Sequence, residues 1–307
     1  MRGAMEGDFI ETDEGLLFDV KGFYHPQDRI IAFLRYYPAS GGERKRGKVR
    51  YKKVYDFDER DRYLQTHFPH HLYDDPEFGR IQAVHRARIA RLYDPRRFLL
   101  SLSNREMIPL ERISLDFCTL LSETSQVPLS SFGISGSLLV GLSKKNSDID
   151  IVAYGGKSGS SVFSALQKLR KRGIARAFSG KPLEDMCKFR WGHVTDRLKT
   201  IESQKLLHGT FEGTPYFVRL LRKPRRERFR QLGLTRIEGE VVNRNESIFT
   251  PCMYGINSEK AQRLFSYRGR YCEHLKVGDR FSVKARIEEV LGWGRQVVLE
   301  GEEIKIL

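Results

Sequence analysis

Apolar and polar positions alternate on both sides of a Glu14-Gly15 pair in FIETDEGLLFDVKGFYH, a pattern that predicts a β-hairpin. RIIAFLRYYP reads as a third strand, ended by Pro38, and ASGGERKRGKVR as a polar, glycine-containing loop. VYDFDERDRYLQTHF has helical character. In PEFGRIQAVHRARIARLYDP, the residues Ile81, Val84, Ile89 and Leu92 roughly follow a 3.6-residue period and predict a helix ending before Pro95.

The middle of the chain alternates helix and strand. Residues 109–124 predict an amphipathic helix with Pro109 in its first turn and Ile113, Phe117, Leu120 and Leu121 as its apolar stripe. SSFGIS predicts a short strand, SLLVGLS a brief helix opened by a Gly-Ser turn, and Ser147 to Tyr154 the next strand. SVFSALQKLRKRG predicts a helix stopped by Gly173, and KLLHGTFEGTPYFVRLLR a hairpin turning at Glu212-Gly213. From Leu234 onward, TRIEGEVV, SIFTPCMYGI, RFSVKARIEEVL and RQVVLEGEEIKIL alternate apolar and polar residues between turn signals, which suits a small barrel. Three domains follow: a mixed α/β segment 1–102, an α/β segment 103–232 and an all-β segment 233–307.

Charge separates these segments. Of the net +15, residues 1–102 carry +3 (19 Lys and Arg, 16 Asp and Glu), residues 103–232 carry +11 (23 and 12), and residues 233–307 carry +1 (12 and 11). A one-sign excess in the middle segment suits a polyanionic partner such as a nucleotide or nucleic acid; a surface rich in ion pairs is the plainer reading of the charged fraction, but it leaves the excess unexplained. The runs Lys168 to Arg172 and Arg222 to Arg226 carry much of that excess. There is no apolar run of transmembrane length and no apolar leader, so a cytoplasmic location without a membrane partner is expected. Cys118, Cys187, Cys252 and Cys272 form no C-x-x-C pair and read as small buried hydrophobes. His67, His70 and His71 in HFPHH invite a metal reading, but neighbouring histidines beside Pro69 lack regular ligand spacing, and a loop is expected.

Candidate chemistry concentrates in FGISGSLLVGLSKKNSDIDIVAYG, residues 132–155. Asp148 and Asp150 flank Ile149 on a predicted strand and so share one face. Two like charges on one face call for a cation between them, and Mg²⁺ prefers carboxylate oxygens together with substrate phosphates. A capped turn would account for Asp148 alone, but not for Asp150 inside an apolar run.

Gly136-Ser137, ten residues, then Asp148-Ile149-Asp150-Ile151 resembles the signature of the DNA polymerase β-type nucleotidyltransferase superfamily, with Ser147, Tyr154 and Gly155 similar to its flanks. The likeness covers roughly residues 110–222; the chain also resembles uncharacterised archaeal proteins with a nucleotidyltransferase domain between two smaller ones. It implies an α+β multidomain protein with a central polymerase-β-like α/β core; separately, the C-terminal segment, GDRFSVKARIEEV above all, resembles an OB-type barrel that binds single strands, and a structural barrel is an equal reading. The nucleotidyltransferase likeness implies metal-dependent transfer of a nucleoside monophosphate from an NTP to an acceptor hydroxyl, RNA being one candidate acceptor. Asp148 and Asp150 would be the catalytic and metal-binding pair for Mg²⁺ or Mn²⁺. Gly136 would let the backbone approach the triphosphate, and Ser137 would offer a hydroxyl and open a helix whose N–H groups favour phosphate. Ser147, Lys144 and Arg219 are further nucleotide-binding candidates; Lys144 and Lys145 read equally well as a solvated loop. The sequence departs from the family at Tyr216 to Leu221, where a third carboxylate is usual and Arg219 is the one charged residue. That departure supports an alternative: a nucleotidyltransferase-like module without catalysis that binds RNA or protein.

Overall fold

The computed structural model describes residues 2–75 and 79–307 and is an α+β protein of several sheets. The chain divides into two compact units: one runs up to Cys118 and includes Phe132–Val152, the other holds Thr119–Ser131 and Ala153–Leu307. Contacts therefore group the residues of the Gly-Ser turn and the aspartate pair with the N-terminal segment.

The first unit is built on an antiparallel sheet of β1 (Phe9–Thr12), β2 (Leu17–Val20), β3 (Arg29–Pro38), β4 (Arg44–Arg46) and β5 (Val49–Lys53), followed by helix α1 (Phe57–His67) and a single 3₁₀ turn, Pro69–His71. Strands β6 (Leu72–Asp75), β7 (Gly79–His85) and β8 (Ile89–Tyr93) complete it in the order β4-β5-β3-β2-β1-β8, with β7 pairing β3 and β6. Helices α2 (Pro95–Leu102) and α3 (Pro109–Ser125, through Cys118 in this unit) lead to β9 (Phe132–Ile134), α4 (Gly136–Leu139) and β10 (Ile149–Tyr154, through Val152 in this unit).

Alternation along the strands gives the sheet two apolar faces. Ile10, Phe18, Leu34 and Tyr37 pack on one face with Val54 and Leu64 of the α1 region. Their neighbours Phe9, Leu17 and Tyr36, with Tyr51, pack on the other with Leu139, Val140 and Leu142. The segment after the Gly-Ser turn is thus a cover for the N-terminal sheet. Side chains of β4 fasten it: Arg44 Nη1 donates to Leu142 O at 2.7 Å and Arg46 Nη1 to Val140 O at 3.4 Å.

Two local expectations are corrected. The segment containing Ile81, Val84, Ile89 and Leu92 is not a helix but β7, a 3₁₀ turn and β8 (residues 76–78 of the predicted helix lie outside the described residues). The 3-5-3 spacing of its apolar residues fits a helix poorly. Its β-branched positions instead find strand partners, Ile30 opposite Val84 and Thr12 opposite Ile89. The polar stretch after Ser40 is not a loop throughout: β4 and β5 form a hairpin turning at Gly47. The Glu14-Gly15 hairpin, the third strand 29–38 and the helix over 57–67 match the sequence reading.

The second unit, which holds Thr119–Ser131, resumes at the end of β10, where Gly155 N donates to Leu221 O at 2.8 Å. Helix α5 (Gly156–Lys171) and β11 (Ala175–Arg176) precede α6 (Gly180–Trp191) and α7 (Asp196–Gln204). β12 (His208–Phe211) and β13 (Thr214–Leu221) form the expected hairpin, with Glu212 and Gly213 both at positive φ. The sequence pattern did not reveal α6 and α7, because their apolar stripe is short: Leu183, Met186 and Cys187 of one meet Leu198 of the other.

The C-terminal strands are β14 (Phe229–Asn243), β15 (Phe249–Thr250), β16 (Cys252–Asn257), β17 (Arg263–Ser266), β18 (Arg280–Val290), β19 (Gly294–Val298) and β20 (Lys305–Ile306). Pairings β14-β16-β17-β19-β18 return to β14, so five strands close a ring in which β17 and β19 are the parallel pair. Phe281, Val283, Ala285 and Ile287 are its buried side along β18. All four cysteines are buried free thiols. Among the described residues no helix is long and apolar enough to cross a membrane.

A charge network lies inside this unit. Glu202, fully buried, accepts from Lys205 Nζ at 2.7 Å and from Trp191 Nε1 at 3.0 Å, and Lys205 also donates to Arg270 O at 2.6 Å. Lys205→Met is expected to cost about 3–5 kcal/mol because it removes the close cation and leaves the buried Glu202 carboxylate with the longer contact to Arg190 Nη1 at 3.5 Å. Adding Glu202→Gln to it should recover a large part of the loss. Urea denaturation of the single and double variants measures this, and equal losses in both would contradict the pairing.

Candidate functional site

Gly136 adopts φ +65°, and a Cβ built there would lie 1.9 Å from Asp150 Oδ2. The turn is therefore closed by a carboxylate resting on bare backbone, which a side chain at 136 would expel. The main chain holds the two segments in register: Ser135 N donates to Asp150 O at 2.8 Å, and Ser135 Oγ to Gly7 O at 2.6 Å.

Asp148 and Asp150 are both half-buried, while Ile149 and Ile151 between and after them are buried. The period-two reading of a shared carboxylate face therefore fits the observed exposure. Ser137 is buried, and its Oγ makes no hydrogen bond. A buried hydroxyl without a partner is costly. The helix that Ser137 enters has only four residues, Gly136–Leu139, too few to contribute much dipole to anion binding. Ser147 has a local role: its Oγ accepts from Lys144 N at 2.8 Å and from Arg44 Nη1 at 3.4 Å, closing the turn before Asp148. Lys144 is exposed on that turn. Arg219 belongs to the second unit, on the half-buried side of β13 with Phe217, opposite the buried Tyr216, Val218 and Leu220.

What the motif did not reveal is the wall that the N-terminal sheet sets against the aspartates. Lys53, at the end of β5, feels both carboxylates, as does Tyr55 just beyond it. Lys53 Nζ lies 4.5 Å from the Tyr55 ring centre and 5.8 Å from that of Tyr36. Arg35 stands 5.5 Å over Tyr55 and Arg44 5.8 Å over Tyr36. Burial and the neighbouring Arg35 and Arg44 push the Lys53 ammonium down to about 8, against the pull of Asp148 and Asp150. Burial raises the Tyr55 phenol, with the two aspartates adding to the rise and Arg35 and Arg44 opposing it. The signal was present in RYKKVY, where Tyr51, Lys53 and Tyr55 recur at a period of two, but the polar run before it obscured the strand.

The donor set suits one Mg²⁺ or Mn²⁺: one carboxylate just before β10 and one within it, with Ser137 in the turn that Asp150 closes. Cations and aromatic rings on the same side of the sheet suit a phosphate-bearing aromatic ligand. Of the basic runs, Lys168, Lys171 and Arg172 are exposed, but Arg170 is turned inward, donating to the carbonyls of Lys205 (3.2 Å) and His208 (2.9 Å). Arg222 pairs with Glu246.

No family model matches the chain, and no solved structure matches it. The chain is similar to the uncharacterized protein MJ1086 of Methanocaldococcus jannaschii, 28% identical over 317 aligned residues that span 92% of this chain and 90% of that protein.

Two outcomes are expected. The ¹³Cε resonance of Lys53 should titrate with a midpoint near pH 8, and lower still in Asp148→Asn or Asp150→Asn, since both carboxylates raise it. The unfolded chain binds that proton up to its ordinary value of 10.5, so this residue's contribution makes the fold more stable as pH rises between the two values. A midpoint at the ordinary value would remove Lys53 from the site. Gly136→Ala should lose about 1–2 kcal/mol from its left-handed backbone alone, and more from displacing Asp150. Urea unfolding checks it; no loss would mean the turn relaxes freely.

Proposed function

We propose that the chain is a nucleotidyltransferase that moves a nucleoside monophosphate from an NTP to an acceptor hydroxyl, using the centre formed by Asp148, Asp150 and the Gly136-Ser137 turn. The observation that carries this reading is the Asp150 carboxylate lying on the side-chain-free backbone of Gly136, next to the unpartnered hydroxyl of Ser137. That arrangement joins an acidic metal-binding face to a turn that a phosphate can approach closely.

Asp148 and Asp150 would hold Mg²⁺ or Mn²⁺, which when bound neutralises charge on the phosphates and lowers the pKa of an attacking hydroxyl. Ser137 would donate to a phosphate oxygen. Lys53, protonated for the most part at neutral pH, would pair with the polyphosphate, whose charge would raise its affinity for the proton. Tyr55, 44% exposed, offers a ring for a base to stack on. The ring order of the C-terminal strands, with its parallel pair, supports an OB-like reading of residues 233–307, and with the basic excess it favours a nucleic-acid acceptor such as RNA.

A second reading is favoured by the charge around the aspartates. Arg35, Arg44 and Lys53 gather where the site carries two carboxylates, so cations of the chain itself balance the pair without a metal. The strand Thr214–Leu221 also carries no acid. On this reading the chain binds RNA or protein and transfers nothing.

Incubation with each α-labelled NTP, Mg²⁺ or Mn²⁺ and a panel of RNA acceptors separates the two. Transfer with pyrophosphate release is expected, and Asp148→Asn or Asp150→Asn should each lower it at least about a hundredfold, roughly 2.7 kcal/mol of barrier, with the fold retained. Full activity in either variant would sink the catalytic assignment, and RNA binding without transfer by the unmodified chain would favour the second reading.

A further inference from the structure

A second constellation lies in the first unit and plays no part in the proposed transfer. Glu14 sits in the turn between β1 and β2, while His70 and His71 end the 3₁₀ turn after α1. The sequence offered no ligand spacing because these groups come from segments more than fifty residues apart.

The fold brings them together. Glu14 Oε1 lies 2.8 Å from His70 Nε2, and Glu14 Oε2 lies 3.6 Å from His71 Nε2. The two imidazole rings are 4.3 Å apart between centres, and one ligand atom from each of the three residues falls within 4.8 Å of the others. Among the described residues this is the one group of three or more His, Cys, Asp or Glu side chains that converges in this way.

A plain structural role explains half of it. The Glu14–His70 hydrogen bond ties the hairpin to the 3₁₀ turn. It does not explain His71, which is 0% exposed, packs 4.9 Å from the Phe18 ring and makes no hydrogen bond through either nitrogen. The ring interacts with the Ala83 backbone, but outside hydrogen-bond geometry. Glu14 Oε2 is likewise buried without a hydrogen bond. Each such orphan is costly, and here two orphans face each other slightly too far apart to bond. A shared cation resolves both: ligands about 2.0–2.1 Å from a tetrahedral zinc ion stand roughly 3.4 Å from one another.

Arg88 competes, with Nη1 3.4 Å from Glu14 Oε1, yet it is half-exposed and also pairs with Asp13 at 3.3 Å, to which it can withdraw. His70 also borders a pocket of about 540 Å³ lined by Asp13, Arg29, His85, Ala87 and Arg88.

We propose that Glu14, His70 and His71 form a three-ligand site for a divalent transition-metal ion, zinc by the character of its donors, with a fourth position left for water or for a group entering from the adjacent pocket. Two nitrogens and one oxygen select against Mg²⁺, so this site is chemically distinct from the aspartate pair.

The test uses the full chain stripped by a chelator and titrated with Co²⁺. Expected is a saturable visible absorption of four-coordinate Co²⁺ that Zn²⁺ displaces. His70→Ala and Glu14→Gln, each checked for fold by circular dichroism, should weaken binding at least about a hundredfold, at or beyond the upper end of what losing a mere supporting residue does. Asp148→Asn should leave it unchanged. Independently of any variant, Zn²⁺ should shift the ring-nitrogen resonances of His70 and His71 and spare those of His67 and His85. No Co²⁺ band, a band that survives both substitutions, or shifts at other histidines would each overturn the proposal.

Discussion

Everything at the candidate centre depends on the second apolar face of the N-terminal sheet. Leu139, Val140 and Leu142 are buried against Leu17, Tyr36 and Tyr51, and this packing fixes the end of the Gly-Ser turn. Burial of three aliphatic side chains is worth roughly 1.5–3 kcal/mol each, more than the turn's own hydrogen bonds supply. The positive-φ backbone at Gly136 and the crowded carboxylate at Asp150 are tolerated because that packing over-determines the turn. The N-terminal segment is then part of the site's foundation, and its Lys53 and Tyr55 stand at the aspartates as a direct result.

The same sheet explains why two chemically different clusters occur in one unit. One face carries the turn and the oxygen-rich pair; the hairpin tip at Glu14 meets the 3₁₀ turn that follows α1 on the other side of the core. Alternation sends successive residues to opposite faces, so neighbours in sequence serve separate ends: Tyr36 packs under the aspartates while Tyr37 stacks on Tyr63 at 3.8 Å beneath α1.

Legibility in the sequence followed the range of the interactions. The Glu14-Gly15 and Glu212-Gly213 hairpins, the strand 29–38 and the helix over 109–125 were readable because local backbone chemistry and periodicity agree there. Ile81 to Leu92 departs from its helical expectation because a few apolar spacings make no sustained period, and pairing with β3 and β1 decides the conformation. The aspartate pair and its turn were visible as a motif. Lys53, Tyr55, Arg35 and Arg44 were not, since only the tertiary fold carries them to residues about a hundred positions away. The histidines beside Pro69 read as a loop because their third partner, Glu14, lies in another hairpin.

The closed ring of C-terminal strands has a consequence for how the chain acquires its structure. Phe229 pairs with Val290 and Glu240 with Arg280, so the first strand of the ring has its longest partner in the fourth. On a ribosome, β14 must wait for β18 to emerge, and β17, over a shorter stretch of chain, for its parallel partner β19. During that interval the buried sides of Ile237, Val241 and Leu264 have no cover. Loop closure over such separations is slow, and exposed strand edges invite wrong partners. Slow translation of this region would therefore lengthen its exposure.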